Sequence, residues 1–440
     1  NVYHRVFTGT LARMPLGGGA PRALKDSVRE ADWAPDGQSL AIVVVVNGKC
    51  RLEYPVGTVR YESNGYVSDP RVSPDGRRVA FVEHSAVGDD RGAIAVVDTA
   101  DSRVKIVTDA FPSVQGTTWS TNGGEILFSA GGSLSHRAVH AVTLAGTVRV
   151  VVAGPGGLTV LDRFTDGTAL VSRDDQPNRL MVHHQGASAD SDASWLDASY
   201  DPVFSHDGTK LAFDDQSSTS GVNYTLMLRQ TNGTVVRLGE GVPVAFSPDD
   251  QWLLVNLLFD GKYVLQPIGA GAELALDLHG LKDAGSGGWY PDGRAILMCG
   301  QLGDSLRRCY RAPIDGSPLT PVTPAIRGMG RLAPDGREVL VTGRRYTGPN
   351  DTGRVVLGLG GRLVWRWSAD GRALFVRSGP SSVDRLDLAT GRRELLFDVT
   401  PARGSAIVRT VRMAIADDPR VYAYVAQEYS SKLFVVRGLR

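Results

Sequence analysis

The stretch Trp33-Ala34-Pro35-Asp36-Gly37 is a short turn sequence that recurs along the whole 440-residue chain. Close copies include Val72-Ser73-Pro74-Asp75-Gly76 and Trp289-Tyr290-Pro291-Asp292-Gly293. Ten copies end at residues 37, 76, 123, 167, 208, 250, 293, 336, 371 and 419. The intervals between these ends are 39, 47, 44, 41, 42, 43, 43, 35 and 48 residues. Repeats of about 40–45 residues with β-type sequence between the turns are typical of propeller blades.

The residues of this turn have distinct physical roles. Proline sets φ near about −65°, aspartate bonds nearby backbone amides, and glycine takes the left-handed conformation that other residues resist. The pattern predicts a hairpin corner, so we interpret its residues as structural. The predicted structural turn residues are Pro35, Asp36, Gly37, Pro74, Asp75, Gly76, Asp207, Gly208, Pro248, Asp249, Pro291, Asp292, Gly293, Pro334, Asp335, Gly336, Asp370 and Gly371.

The segments between the turns have the pattern of β-strands. An apolar run suited to a buried strand follows each turn, as at residues 40–46, and an alternating strand such as 93–98 comes next. A third strand, for example 235–238, precedes the strand that enters the next turn. We therefore predict an all-β fold, a β-propeller of about ten four-stranded blades over residues 1–440 with no second domain. One large ring and two rings in tandem both fit this pattern.

The two ends of the chain predict how the array closes. A hairpin around residues 11–24 precedes the first turn, and strands near 421–425 and 433–436 follow the last one. We expect the N-terminal and C-terminal strands to share one blade, because closure otherwise leaves two unpaired edges. The interval of 35 residues before Gly371 predicts one truncated repeat without an outer strand.

Composition excludes several classes of function. With 48 basic and 47 acidic residues the net charge is +1, which gives no strong attraction to nucleic acid or to a membrane surface. The longest wholly apolar run has seven residues, so we expect no membrane span within the chain and an anchor outside it. The expected partner is an unidentified protein or small-molecule ligand, with no nucleic acid and no cofactor.

The three cysteines do not form a zinc or redox motif. Cys299 and Cys309 are predicted to lie on neighbouring strands of one blade, so a disulfide and a pair of buried thiols are both open. Cys50 has no partner in either case.

Sequence motifs for catalysis do not occur in the chain. It contains no Gly-x-Ser-x-Gly nucleophile elbow, no phosphate-binding Gly-x-x-x-x-Gly-Lys-Ser/Thr and no Asp-Phe-Gly. We therefore predict no catalytic residues and no metal site.

Clusters of charged residues follow the second strands of several predicted blades. In a propeller the loops after those strands open on the face opposite the turns, so recurrence there would place several carboxylates around one mouth of the channel. Solvated loops and a polar or weakly cation-binding face are both compatible with this pattern. The candidate binding residues are Glu83, His84, Asp89, Asp90, Arg91, Asp174, Asp175, Asp214, Asp215, Arg344, Arg345 and Tyr346.

The repeats resemble the PD40 (TolB-type, WD40-like) repeats of bacterial propellers. The segments between the turns further resemble the sensor region of acidobacterial-type receptor serine/threonine protein kinases, and this resemblance extends over essentially the whole chain. The segments that carry it include Leu11-Ala12-Arg13-Met14-Pro15-Leu16, Arg51-Leu52-Glu53-Tyr54-Pro55-Val56-Gly57, Gly88-Asp89-Asp90-Arg91-Gly92, Arg237-Leu238-Gly239-Glu240-Gly241 and Arg385-Leu386-Asp387-Leu388-Ala389-Thr390-Gly391.

This resemblance implies a function as well as a fold. In that family a cytoplasmic kinase domain and one membrane span precede the propeller, so the chain is expected to be a non-catalytic, extracytoplasmic sensor region. A stand-alone periplasmic TolB-like scaffold for protein interactions is the first alternative. A propeller lyase or hydrolase that uses an acidic ring is the second alternative.

Overall fold

The computed structural model describes residues 7–87, 89–132, 136–175, 177–196, 198–217, 220–303, 305–326, 328–400 and 407–439. All regular elements in these ranges are β-strands, forty in number, and every sheet is antiparallel between neighbouring strands. The chain divides into two compact units. Unit 1 comprises Asn1–Gln176 and Tyr429–Arg440, and unit 2 comprises Pro177–Glu428.

Unit 1 contains four sheets, which we number blades 1 to 4 in the order of their turns. Blade 1 has the strand order β1-β2-β3-β4-β5, blade 2 has β6-β7-β8-β9, blade 3 has β10-β11-β12-β13 and blade 4 has β14-β15-β40. The strands are β1 (Gly9–Arg13), β2 (Arg22–Trp33), β3 (Leu40–Val46), β4 (Lys49–Glu53), β5 (Val59–Ser63), β6 (Tyr66–Val72), β7 (Arg78–His84), β8 (Ala93–Asp98), β9 (Val104–Ile106), β10 (Ser113–Trp119), β11 (Glu125–Gly131), β12 (Arg137–Thr143), β13 (Val148–Val152), β14 (Gly157–Arg163), β15 (Ala169–Asp175) and β40 (Ser430–Val436).

Unit 2 contains six sheets, blades 5 to 10. Blades 5 to 9 each take four consecutive strands from β18 to β37, and blade 10 has the order β17-β16-β39-β38. The strands are β16 (Asn178–His183), β17 (Ser191–Asp192), β18 (Ser199–Phe204), β19 (Lys210–Asp215), β20 (Thr225–Gln230), β21 (Val235–Glu240), β22 (Val242–Phe246), β23 (Trp252–Leu257), β24 (Lys262–Pro267), β25 (Leu274–Ala275), β26 (Leu281–Trp289), β27 (Ala295–Leu302), β28 (Arg308–Pro313), β29 (Thr320–Pro321), β30 (Arg331–Leu332), β31 (Val339–Val341), β32 (Arg344–Tyr346), β33 (Arg354–Val355), β34 (Val364–Trp367), β35 (Ala373–Arg377), β36 (Ser382–Asp387), β37 (Arg393–Asp398), β38 (Ile407–Ile415) and β39 (Tyr422–Glu428).

The six blades of unit 2 close into a ring. Their inner strands contact one another around the unit, and β38 of blade 10 contacts both β34 of blade 9 and β18 of blade 5. Blades 8 and 9 share a core in which Leu340 packs with Leu374 and Trp367. Each of the ten predicted turns connects the inner strand of one blade to its second strand. The predicted all-β propeller with about ten blades is therefore confirmed.

The predicted closure was wrong. The N-terminal strand β1 pairs with β2 in blade 1, and blade 10 is instead completed by β16 and β17. The last strand, β40, pairs with β15 of blade 4 over seven residues. Burial favours this exchange, because Leu180 and Val182 on β16 enter a core with Val425 of β39. Both β15 and β39 thereby gain a partner for an edge that would otherwise be unpaired.

The prediction of a truncated repeat before Gly371 was also wrong. Blade 8, which spans this interval, keeps four strands, but each has only two or three residues. In the described ranges, the blade with three strands is blade 4. A short interval between two turns thus gives shorter strands and not fewer strands, because a strand without a neighbour would leave its edge unpaired.

Tryptophans before the turns connect neighbouring blades. The indole Nε1 of Trp119 donates to the carbonyl oxygen of Arg71 at 2.9 Å, and Trp289 Nε1 donates to the Ala245 carbonyl at 3.2 Å. In both cases the acceptor lies on the inner strand of the preceding blade. Trp33 in blade 1 is 46% exposed, and the guanidinium of Arg13 lies 5.4 Å from its ring centre. Packing between blades explains the rings of Trp119 and Trp289 and also that of Trp367, whose Nε1 donates to the Arg331 carbonyl at 3.4 Å, but it does not apply to Trp33.

Candidate functional site

The predicted site residues fall in both units, so each unit is described by itself. Unit 1 contains Glu83, His84, Asp89, Asp90, Arg91, Asp174 and Asp175, and unit 2 contains Asp214, Asp215, Arg344, Arg345 and Tyr346. The acidic pairs do end the second strands of blades 4 and 5, as β15 ends at Asp175 and β19 at Asp215.

A buried arginine connects the acidic residues of unit 1. Arg137 begins β12 of blade 3, and its side chain is fully buried. Its Nη1 lies 3.4 Å from Oδ2 of Asp90, and its Nη2 lies 3.9 Å from Oδ2 of Asp174. The hydroxyls of Ser113 and Thr159 donate to the same two carboxylates at 2.6 and 2.9 Å. This network links the loop after β7 with blades 3 and 4, and its ion pairs and hydrogen bonds point to a structural role for Asp90 and Asp174.

His84 is part of the core of blade 2. The ring is fully buried and stacks on Tyr66 with ring centres 4.0 Å apart. Its Nδ1 lies 3.0 Å from the carbonyl oxygen of Arg91, and because a carbonyl only accepts, Nδ1 carries a proton. Its Nε2 lies 2.8 Å from the hydroxyl of Ser68, and the Tyr66 hydroxyl donates to the Asp89 carbonyl at 2.6 Å. These contacts hold the loop after β7 in place.

The remaining acidic residues of unit 1 have local partners. Ser63 donates to Oε1 of Glu83 at 2.7 Å, and burial raises the pKa of the Glu83 carboxyl. The Nε atom of Arg173 lies 3.7 Å from Oδ2 of Asp175. The predicted candidates of unit 1 are therefore held mainly by contacts within and between its blades.

Blade 8 holds the basic candidates of unit 2. Arg344 donates to the carbonyl of Gly353 at 2.8 Å, and Arg345 Nη1 lies 3.2 Å from Oε2 of Glu338. Tyr346 is 5% exposed and belongs to the core that also contains the two disulfide cysteines. These three residues join the short strands of blade 8 to each other.

Asp214 is the candidate whose surroundings differ most from those of a structural residue. Its side chain is fully buried at the end of β19, where Gln216 Nε2 donates to Oδ2 at 2.8 Å. Its Oδ1 is buried and has no hydrogen-bond partner among the residues that the structure describes. Nearby, Arg412 Nε of blade 10 donates to Oδ1 of Asp201 of blade 5 at 2.6 Å. We call Tyr200, Asp201, Asp214 and Arg412 the Asp214 cluster.

Electrostatics in the Asp214 cluster favour the protonated form of the Asp214 carboxyl. Burial, together with the negative charge of Asp201, raises the pKa of Asp214 well above its ordinary value. Attraction to Asp201 raises the pKa of Arg412, so the Arg412 guanidinium stays positively charged beside the two acids. Burial also raises the pKa of Tyr200, whose hydroxyl donates to Oδ1 of Asn178 at 3.2 Å. A buried group with a displaced pKa beside a specific charge partner is a marker of functional sites.

The backbone around Asp201 positions this cluster. Residue 201 has φ of 41°, in the left-handed region, and the pairing of β18 with β19 shifts register between Tyr200 and Val203. Aspartate tolerates this conformation better than most residues. The bulge directs the Asp201 carboxylate to β38, which has its own register shift between Thr410 and Arg412. Sequence periodicity gives no signal for such bulges, so Asp201 and Arg412 were not predicted.

The turn aspartates bond within their own hairpins. Ser205 donates to Asp207 Oδ1 at 2.6 Å, and the same bond is made by Ser247 to Asp249 at 2.5 Å. The hydrogen bond from Ser247 lowers the pKa of Asp249. These carboxylates are occupied by the turn, which fits the structural interpretation of the motif.

Two grooves lie between neighbouring turns of unit 2. One, of about 410 Å³, lies between blades 6 and 7 and includes Pro248, Trp252, Trp289 and Pro291. The other, of about 320 Å³, lies between the turns of blades 8 and 9. Their equivalent positions follow from the repeat.

The described residues provide no constellation for metal or membrane chemistry. Within those ranges no three His, Cys, Asp or Glu side chains are grouped so that they could hold a metal ion. None of the same residues forms a helix with the length and hydropathy needed to cross a bilayer. The ring of blades in unit 2 and its buried polar cluster define the class of the protein as a β-propeller with a candidate ligand site.

Comparison with known proteins gives distant structural matches. No protein-family model matches the chain, and no curated protein sequence matches it. A TolB protein from Agrobacterium tumefaciens is 18% identical and covers 57% of this chain and 99% of its own, with a TM-score of 0.43. TolB from Acinetobacter baumannii is 13% identical over 81% of this chain and 66% of its own, with a TM-score of 0.27. The tricorn protease is 14% identical over 95% and 45%, with a TM-score of 0.30. The class assignment therefore rests on the sheet order and the ten turns.

Proposed function

We propose that this chain is a non-catalytic binding propeller and that the Asp214 cluster is its ligand site. The observation that carries the proposal is that the Oδ1 atom of Asp214 is buried and has no hydrogen-bond partner among the described residues. Such a group costs about 1–3 kcal/mol, so a ligand that bonds to it would recover that free energy. The Asp214 carboxyl interacts electrostatically with Asp201 and with Arg412, whose side chain is 53% exposed.

The chemistry of the cluster indicates the class of ligand. A raised pKa favours the protonated form of Asp214, which donates one hydrogen bond and accepts others. The Asp201–Arg412 pair adds a charged acceptor and a charged donor. A neutral ligand with both donors and acceptors, such as a peptide backbone or a small polar molecule, matches this set.

A panel of capped dipeptide amides tests the site by thermal shift. We expect compounds that raise the melting temperature of the native chain to lose that effect with Arg412→Ala and Asp214→Asn. Arg420→Ala is the matched control, because Arg420 is a second arginine of blade 10 that pairs with an aspartate. Its partner is Asp418 at 2.7 Å, and its side chain is 65% exposed. Equal shifts in the Arg412 and Arg420 variants would show that the compounds bind elsewhere and would reject the site.

We further propose that the chain is the extracytoplasmic sensor region of a bacterial membrane serine/threonine protein kinase. The segments that resemble this family support the proposal, since they occur in order between the turns. The coding sequence upstream of Asn1 tests it directly. A kinase catalytic domain followed by an apolar span is the expected result. A cleavable signal peptide would instead identify a periplasmic TolB-like scaffold. Either that result or an upstream sequence with neither a kinase domain nor an apolar span would overturn the kinase assignment.

Catalysis is tested separately. Hydrolase and lyase substrates are incubated with the chain with and without divalent metal. We expect no turnover under either condition. Turnover that disappears in the Asp214→Asn variant would overturn the non-catalytic assignment while leaving the location of the site intact.

A further inference from the structure

Blade 4 ends in an exposed strand edge. Within the described part of the chain it has three strands, and β40 is the outermost of them. One edge of β40 pairs with β15 along the whole strand, from Ser430 to Val436. The backbone groups on the other edge of β40 therefore point away from the sheet. Among the described residues, no fourth strand pairs with this blade, whereas the other blades have at least four.

The side chains of β40 include only one of the features that usually protect an edge strand, the charge of Lys432. Leu433, Phe434 and Val435 are 63%, 44% and 66% exposed, and Lys432 is the only charged residue of the strand. The outer strands of the other blades have two to six residues, whereas β40 has seven. The longest of them, β21 and β37, carry charges of both signs. Long, exposed and mainly apolar edges without proline are sites at which another strand adds.

We propose that β40 pairs with β40 of a second copy of this chain, in an antiparallel arrangement with a two-fold axis at Leu433. In that register Ser430 faces Val436 of the other copy, Ser431 faces Val435, and Lys432 faces Phe434. The two sheets of blade 4 then form one six-stranded sheet. A two-fold axis requires a self-complementary surface, and this strand provides one.

The side-chain pairs in this register are favourable. No like charges face each other, because Lys432 lies opposite an aromatic ring rather than another lysine. Apolar residues cluster at the axis, where Leu433 faces its own copy. Cross-strand pairs of this kind contribute about 0.2–1 kcal/mol each. The antiparallel self-pairing is thus preferred over a generic peptide, which would have to supply a matching apolar strand.

The size of the contact indicates a reversible dimer. A seven-residue strand buries much less than the roughly 800 Å² per partner of a stable complex. We therefore expect a molar mass that rises with concentration from 47.0 kDa towards twice that value. Light scattering coupled to size exclusion, over a dilution series of the whole chain, measures this rise.

Charge substitutions at the axis give a sharp test. Leu433→Lys and Leu433→Glu each place like charges opposite each other and should each abolish the rise in mass. An equimolar mixture of the two variants should restore it, because the pair at the axis then has opposite charges. This recovery cannot come from a general loss of folding. Leu395→Lys is the matched control, because Leu395 is 66% exposed on the outer strand of blade 9, and it should leave the mass unchanged from that of the native chain.

Several results would overturn the proposal. A native chain that stays at 47.0 kDa throughout the series would exclude self-pairing. Dimerisation that persists in both Leu433 variants, or a mixture that stays monomeric, would exclude the strand β40. Binding of an apolar peptide by a monomeric native chain would assign the edge to a different partner. None of these results bears on ligand binding at the Asp214 cluster.

Discussion

Arg137 Nη1, on the fully buried side chain that begins β12, lies 3.4 Å from Oδ2 of Asp90 in the loop after β7. The same guanidinium reaches Asp174 of blade 4, so one cation joins two acids from different blades. A buried charge is tolerated only when it is paired and hydrogen-bonded. Arg137 therefore contributes to holding blades 2, 3 and 4 of unit 1 together.

We predict that Arg137→Met strongly destabilises unit 1. The substitution leaves Asp90 and Asp174 without their buried cation, and breaking such a pair costs about 3–5 kcal/mol. Urea unfolding gives the loss of free energy, and hydrogen exchange of peptides from blades 2 to 4 locates it. Arg103→Met is the control, since Arg103 is 82% exposed beside Asp101 and should cost at most about 1 kcal/mol. Similar losses for both variants would contradict the role of Arg137.

The disulfide is predicted to leave one free thiol. Cys299 and Cys309 face each other on β27 and β28 and are bonded, and Cys50 is free and buried. Without reductant, the denatured chain should titrate one thiol with a disulfide reagent, and after reduction it should titrate three. Burial raises the pKa of Cys50, so the native chain should react slowly. Three thiols before reduction would contradict the bond.

Removal of the disulfide should also lower stability. Cys299→Ser with Cys309→Ser is expected to cost about 2–3 kcal/mol, because the bond closes a short loop. Cys50→Ser is the control for removing a buried thiol. Chemical unfolding of both variants under oxidising conditions measures the difference, and equal losses would show that the bond contributes nothing.

The turn aspartates are predicted to make the free energy of unfolding depend on pH in the acid range. The hydrogen bond from Ser368, 2.6 Å long, lowers the pKa of Asp370. A folded-state pKa below the unfolded value of about 3.9 gives stability that is present above that pH and lost as the pH falls through the folded pKa. The stability difference between the native chain and Asp370→Asn should therefore shrink on acidification below pH 4.

Asn122 provides the matched control for this prediction. It occupies the aspartate position in blade 3 and accepts the same bond from Ser120 at 2.8 Å without a charge. Asn122→Asp should introduce the acid dependence that Asp370→Asn removes. Parallel pH–stability curves for all three proteins would contradict the assignment.

Asp214→Asn is predicted to raise the melting temperature at neutral pH. Because the folded-state pKa of Asp214 is raised, the group binds its proton more tightly when folded, and its ionisation costs stability as the pH rises. The neutral amide removes that cost, so the gain should be largest above the folded pKa and should vanish in acid below the unfolded pKa. A melting temperature that falls at neutral pH and in acid alike would instead indicate a structural carboxyl. A stabilised variant that no longer binds ligand would show a site retained for function.

Local sequence accounts for much of the fold and for part of the site. Proline, aspartate and glycine at 35–37 specify their hairpin by conformational preference alone, and the run at residues 40–46 becomes the buried strand β3. The position of Asp214 at the end of a second strand follows in the same way. Asp201 and Arg412 were not predicted, because their contact spans 211 residues and depends on two bulges. Arg137 gave no signal, since an isolated arginine in a strand is most often solvated.

The sequence by itself determined the number of blades, the position of every turn and the all-β class, because hairpin formation depends on residues close together in the chain. The tertiary structure decided which strands complete blades 4 and 10, where β15 pairs with β40 and β16 with β39. Those partners are more than 200 residues apart, and any apolar strand with a free edge satisfies the local pattern equally well. Only the burial available when the sheets within each unit pack together selects between them.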